Sequence, residues 1–152
     1  MKEIIPFSNN LSRHFKDLNI EWLETYFYVE PHDAELLNNC KEVIIDKGGH
    51  IFFYQKNGQI LGTFALIKVS ETVFELGKMA VAPEARGQGI GQKLMQFLIE
   101  FSKSKQWKKL ILYSNTKLEN SIHIYRKYGF NEIPIEANNP YSRGNIKMEL
   151  TL

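Results

Sequence analysis

The feature that most constrains this chain is the run Met79-Ala80-Val81-Ala82-Pro83-Glu84-Ala85-Arg86-Gly87-Gln88-Gly89-Ile90-Gly91. An apolar strand is halted by Pro83, and glycines at 87, 89 and 91 lead straight into a helical pattern. Glycine removes side chains where backbone N–H groups open a helix. Those groups, with the positive end of the helix dipole, make a site for a phosphate or pyrophosphate. Arg86 adds a full charge beside it. A P-loop would end in Gly-Lys-Ser/Thr, but Gly91 is followed by Gln92. A dinucleotide fingerprint needs G-x-G-x-x-G, and the spacing here is G-x-G-x-G. Both nucleotide motifs fail on spacing. A bare strand-to-helix turn would use the glycines for geometry alone and would have no need of the arginine.

The segments around this turn alternate in period. Leu11, Phe15, Leu18 and Trp22 recur at helical spacing, and Pro31 ends that helix or bends it. Asp33 is expected to cap a second helix carrying Leu36, Leu37, Cys40 and Ile44, stopped by Gly48-Gly49. Strands are then predicted at Ile51–Tyr54, Ile60–Val69 and Val73–Ala82, the first two joined by an Asn57-Gly58 hairpin, as an antiparallel meander. After the glycine turn, Ile90, Leu94, Phe97, Leu98 and Phe101 form one helical stripe, and Leu110–Tyr113 is a buried strand. A strand, crossover helix and second strand of this kind pair in parallel. A helix at about Leu118–Tyr128 stopped by Gly129, and strands at Phe130–Ile135 and Ile146–Leu152, close the chain. The expectation is one α+β domain over residues 1–152, antiparallel first and then a parallel crossover.

Charge and cysteine content narrow the partners. With 19 Lys+Arg against 17 Asp+Glu the net charge is +2, and no basic run of five occurs, so no nucleic-acid partner is expected. One cysteine, Cys40, cannot form an internal disulfide, which fits a reducing compartment. The first residues lack the apolar core of a signal peptide, and no apolar stretch reaches the roughly 18 residues of a membrane span. A cytoplasmic chain with no membrane partner is expected. His14, His32, His50 and His123 have no metal-ligand spacing, so no metal is expected.

Arg86 to Gly91 matches R/Q-x-x-G-x-G/A, and Asn120 to Phe130 reads Asn-Ser-Ile-His-Ile-Tyr-Arg-Lys-Tyr-Gly-Phe downstream. In these two motifs and their order the chain resembles the GCN5-related N-acetyltransferase (GNAT) superfamily, from about Ile51 to Phe130. The resemblance implies the acyl-CoA N-acyltransferase fold: three layers, α/β/α, around a mixed, largely antiparallel, splayed sheet. It implies acetyl-coenzyme A as cofactor. The backbone of Met79, Ala80 and Val81 would pair with its pantetheine arm. Arg86, Gly87, Gln88, Gly89, Ile90, Gly91 and Gln92 would hold the pyrophosphate, with Asn115 and Asn120 towards pantetheine and adenine. Tyr125 stands where many relatives keep a tyrosine near the cofactor sulfur, and also falls on its helix's apolar stripe. Glu75 stands where histone-acetylating members keep a glutamate base, with Glu71 and Glu30 as further candidates. Strand alternation through Gly77 would put Glu75 on the same face as Met79.

In this superfamily the first helices and last strands build the acceptor pocket. Trp22, Tyr26 and Glu30 would supply aromatic faces and carboxylates for an ammonium, although a helix packing its aromatics on the sheet reads the same. Tyr141 and Arg143 lie in a loop before the last strand, and Arg143 would suit a carboxylate-bearing acceptor such as an amino acid. The function implied is direct acetyl transfer to a small-molecule primary amine. A protein lysine or N-terminal acetyltransferase and a non-catalytic coenzyme A sensor are the alternatives. A homodimer is compatible with the family.

Overall fold

A computed structural model describes residues 2–152. A short strand, β1 (Ile4–Pro6), precedes α1 (Ser12–Tyr26) and α2 (Pro31–Asn38), which runs on into a π-helical turn at Lys41–Ile45. The meander follows as β2 (His50–Lys56), β3 (Gln59–Lys68) and β4 (Val73–Val81). Asn57 and Gly58 both take positive φ (52° and 77°), the mirror-image turn that matches strand twist in a tight hairpin. Then come α3 (Ile90–Ser104), β5 (Lys109–Ser114), α4 (Glu119–Lys127), β6 (Asn131–Ile133) and β7 (Ile146–Thr151). The strands form one sheet in the order β1-β2-β3-β4-β5-β7-β6, and only β4 and β5 pair in parallel.

Apolar residues divide between the two faces. Phe15, Leu23, Leu36, Leu37, Cys40 and Ile44 from α1, α2 and the π turn cover Ile51, Phe53 and Ala65 on one. On the other, Ile90, Leu94, Met95 and Leu98 of α3 pack against Phe52, Phe64, Leu66, Phe74 and Leu76. This is the expected three-layer α/β/α arrangement.

Two irregularities shape the centre of the sheet. Thr63 pairs with Ala80 but Ala65 with Gly77, so Phe64 of β3 faces both Lys78 and Met79 of β4. This is a β-bulge, with Lys78 at φ 52°. The buried Asn19 of α1 donates its Nδ2 to the Lys78 carbonyl (3.1 Å), a backbone group the bulge would leave unpaired. Secondly, β4 meets β5 only from Val73 to Glu75, opposite Lys109 to Ile111, and the strands diverge beyond.

The structure corrects the sequence reading at three points. Glu75 and Met79 do not share a face: the bulge resets the alternation, so Met79 packs with the α3 cluster while Glu75 lies beside Gly77 on the α1–α2 side. Asp33 is the third residue of α2 and not its cap; its Oδ2 accepts the backbone N–H of Glu30, the cap residue (3.0 Å). The first strand, β1, was not anticipated, since Ile4-Ile5-Pro6 is too short to show a period.

His50 is ringed by Phe52, Phe74, Phe101 and Trp107 at 5.0–6.4 Å between ring centroids. Burial, with a smaller contribution from Lys105, holds its imidazole below the ordinary histidine pKa. The folded state therefore binds the proton less readily than the unfolded chain, and stability falls as pH drops below about 6.5. Urea midpoints at pH 5.5 and 7.5 should show this loss in the wild type and a smaller one in His50→Phe.

Candidate active site

Where β4 and β5 part, a cleft of about 620 Å³ opens between the tips of the two strands, α1, the start of α3 and α4. One half of it is made of backbone. Ala80 and Val81 pair with β3 on one edge, Met79 lies in the bulge beside them, and none of the three has a strand partner on the other edge. The turn that follows has Gly87 and Gly89 at φ 81° and 80°, with Gly89 directly before α3. A Cβ at Gly87, Gly89 or Gly91 would meet nothing within 4 Å. The glycines are thus not demanded by packing; they leave an open cradle of N–H groups at a helix start, which suits a pyrophosphate.

The side chains of this half are more committed than their sequence positions imply. Arg86 donates Nε to the Val81 carbonyl (3.1 Å) and pairs through Nη2 with Glu21 of α1. Ile90 is buried in the core, so only its backbone can serve a ligand. Gln92 Oε1 accepts from Lys127 Nζ (2.9 Å) and Tyr128 Oη (3.2 Å), tying α3 to α4. Gln88 Nε2 folds back on the Glu84 carbonyl (3.3 Å). Asn115 donates Nδ2 to the Arg143 carbonyl (2.8 Å) and accepts the Lys117 N–H, pinning the loop before β7 to the end of β5. Asn120, exposed at the start of α4, lines the cleft. So does Tyr125, half-buried on the same helix; removal from water pushes its phenol up to about 12.

The other half is built from side chains on three distant segments. Asp33, fully buried, receives Lys78 Nζ on Oδ1 (2.6 Å). Arg143 closes on the same carboxylate with both arms of its fork, Nη1 to Oδ2 at 2.6 Å and Nη2 to Oδ1 at 2.9 Å. Glu30 accepts Ser142 N (2.7 Å), Ser142 Oγ (2.9 Å), Arg143 N (3.3 Å) and Arg143 Nη1 (2.8 Å). Burial alone would raise the Asp33 pKa, but Arg143 and Lys78 outweigh it and hold it at about 2. Two carboxylates and two cations cancel here.

Glu75 stands next to this neutral cluster, at the last rung shared by β4 and β5. It is buried, and burial raises its carboxyl above the usual range. Tyr141, also buried, donates its hydroxyl to Oε2 (3.2 Å), and Lys78 lies over the Tyr141 ring (4.5 Å to the centroid). Trp22 and Tyr26 do line the cleft, with ring centroids 5.2 Å apart.

Expected roles change with this geometry. Glu30 and Arg143 are not free to grip a substrate, because each is taken up by the other and Arg143 also by Asp33. Tyr141 faces Glu75. Glu71, an alternative base, is exposed in the β3–β4 turn beside Lys68 and outside the cleft. Sequence reasoning missed Lys78 and Asn19. Lys78 carried a signal: it falls in phase with Phe74, Leu76 and Ala80, where a lysine in a regular strand would be buried in the α3 core.

A model of the acetyltransferase (GNAT) family matches residues 15–130, well over half of the chain. A glucosamine 6-phosphate N-acetyltransferase of Trypanosoma brucei brucei is 34% identical over 86 residues, 53% of this chain and 56% of that one. The chain spans about half the length of most of the curated relatives it matches. A GNAT-family acetyltransferase from Staphylococcus aureus Mu50 has a similar fold, with TM-score 0.85 at 21% identity over 97% of both chains. So does one from Elizabethkingia anophelis solved with acetyl-CoA bound, with TM-score 0.68 at 22% identity over 98% of this chain and 97% of that.

Removing one partner from a buried ion cluster strands the others. Asp33→Asn leaves Lys78 and Arg143 without their common carboxylate, and should cost about 3–5 kcal/mol in denaturant unfolding. A change under 1 kcal/mol would mean that the cluster relaxes into solvent.

Proposed function

The chain belongs to the acetyltransferase (GNAT) family, and from that premise we propose that it moves an acetyl group from acetyl-coenzyme A directly to the primary amine of a small molecule. One observation carries the reading: the open glycine cradle, the unpartnered edge of β4 and the buried carboxylate of Glu75 all face one cleft. The relative that acts on glucosamine 6-phosphate supports an amino-bearing small molecule as acceptor.

The residues fit the cofactor. Backbone N–H groups of the Arg86–Gly91 turn would hold the pyrophosphate, and the free edge at Met79 and Ala80 would take the pantetheine arm as an added strand. When bound, acetyl-coenzyme A supplies an acyl group already activated as a thioester. Positioning therefore provides much of the rate.

The chain's own task is the movement of protons. An alkylammonium with pKa near 10.4 is neutral in only about one molecule in 10³ at pH 7. Glu75 takes that proton, directly or through water, and its raised pKa makes it a stronger base than an exposed carboxylate. Tyr125 serves the sulfur. A phenol that keeps its proton up to about 12 donates a hydrogen bond to a thiolate, whose conjugate acid lies near 8.5, more readily than it yields the proton.

The test is free thiol release from acetyl-coenzyme A with a panel of amines. Acetyl-coenzyme A binding without thiol release from any amine would overturn the reading. Because Glu75 must be ionised, kcat/KM should climb with pH through a limb above the ordinary carboxylate range. Glu75→Gln should abolish that limb and lower kcat by about 10²–10⁴. Tyr125→Phe should cost about 10- to 1000-fold in kcat with a smaller effect on KM.

A further inference from the structure

The charges around the acceptor side of the cleft limit what can bind there. Among the described residues, four lysine and arginine side chains line the cleft: Lys78, Arg86, Lys127 and Arg143. Lys78 and Arg143 are matched by Asp33 and Glu30, and the four charges sum to zero. Arg86 is paired with Glu21, and Lys127 is turned to Gln92 on the α3–α4 side. Lys117, at the rim, donates to the Tyr26 carbonyl (3.0 Å) and lies over the Phe27 ring (4.1 Å). Lys147 also acts on Glu75 through space, but its Nζ is paired with Glu136 (2.9 Å). Among the described residues, every cation near Glu75 is thus already matched, and none is free to receive an anionic group on the acceptor.

Against that stands one carboxylate with no ion-pair partner of its own, Glu75, with Oε2 engaged by Tyr141; Lys78 and Lys147 act on it only from their own pairs with Asp33 and Glu136. Another part of the same cleft lining is aromatic: the Trp22 ring lies 5.2 Å from Tyr26 and 5.8 Å from Phe27. An amine that reaches Glu75 brings its substituents with it. An α-carboxylate, one carbon from the reacting nitrogen, would lie within about 6 Å of Glu75 with nothing to balance it, a repulsion worth on the order of 10²-fold at the effective dielectric of a protein site. An apolar body would instead pack on the Trp22–Phe27 wall.

Resting on the acetyl-transfer reading, we infer that the acceptor is a primary amine with an apolar body and no carboxylate beside the amine, and that Glu75 is the residue that excludes amino acids. This reverses the role that the sequence reading gave to Arg143. The matched neutral cluster makes Arg143 a strut of the pocket, and selectivity comes from the charge left over.

The experiment compares kcat/KM, by thiol release, for phenethylamine, L-phenylalaninamide and L-phenylalanine, beside a panel of non-aromatic amines. The amine and the amide should agree within about tenfold, and the acid should be on the order of 10²-fold poorer. Glu75→Gln should slow all three and bring the amide-to-acid ratio towards one, which loss of the base alone would not do. Phenylalanine turned over as well as its amide overturns the inference. So does an amide as poor as the acid, since size and not charge would then be rejected. Turnover of non-aromatic amines alone overturns the apolar part. Absence of thiol release with every amine refutes the acetyl-transfer reading itself.

Discussion

The contact between Lys78 and Asp33 is the constraint on which this site depends. A lysine whose side chain is 4% exposed, meeting a carboxylate that is 0% exposed, is costly to assemble, because each ion gives up several kcal/mol of hydration before attraction repays it. Its value lies in geometry. The pair can form only if β4 bulges at Lys78, turning this side chain from the α3 face to the α1–α2 face. It fixes the first turn of α2 against the middle of the sheet. Asn19 then answers the carbonyl that the bulge displaces, and Arg143 brings in the loop before β7.

That bulge separates the two halves of the cleft. Before it, Glu75 looks towards α1 and α2; after it, Met79 looks towards α3. A bulge also adds twist and bend to its strand, and β4 leaves β5 just ahead of it, after Glu75. One local irregularity thus accompanies both the opening that can admit a long cofactor and the reversal that puts the base on the other side. In a regular strand Glu75 and Met79 would share the α1–α2 face, and Lys78 would be turned into the α3 core.

The cofactor half was legible in the sequence because it is written in backbone. Glycines at 87, 89 and 91, a stop at Pro83 and a helical stripe from Ile90 are local signals, and the structure keeps them in that order. The sheet was legible for the same reason: the Asn57-Gly58 turn and the change of period set β2, β3 and β4. The acceptor half was not, since Asp33, Lys78 and Arg143 are 45 and 65 residues apart along the chain and meet only after folding. A carboxylate in the first turn of a helix and an arginine in a loop look like ordinary surface groups, and the out-of-place phase of Lys78 says that the strand is irregular without saying which carboxylate it meets. Gln92 and Asn115 lie on the motif-bearing elements, but their side chains brace neighbouring segments, which spacing alone could not reveal.

The neutrality of the buried cluster also explains how Glu75 can work as a base. An unmatched ammonium beside a carboxylate stabilises its ionised form and weakens it as a proton acceptor. Lys78 exerts this pull on Glu75, but burial opposes it and prevails. Asp33 makes that outcome possible by taking the Lys78 charge at 2.6 Å, while Arg143 and Glu30 complete the balance around them. Without Asp33 the lysine would turn its charge on Glu75; without Lys78 and Arg143, Asp33 would be a second buried anion and would push Glu75 towards permanent protonation. The four matched charges set a narrow condition: a carboxylate basic enough to accept an ammonium's proton and still able to ionise before the amine arrives.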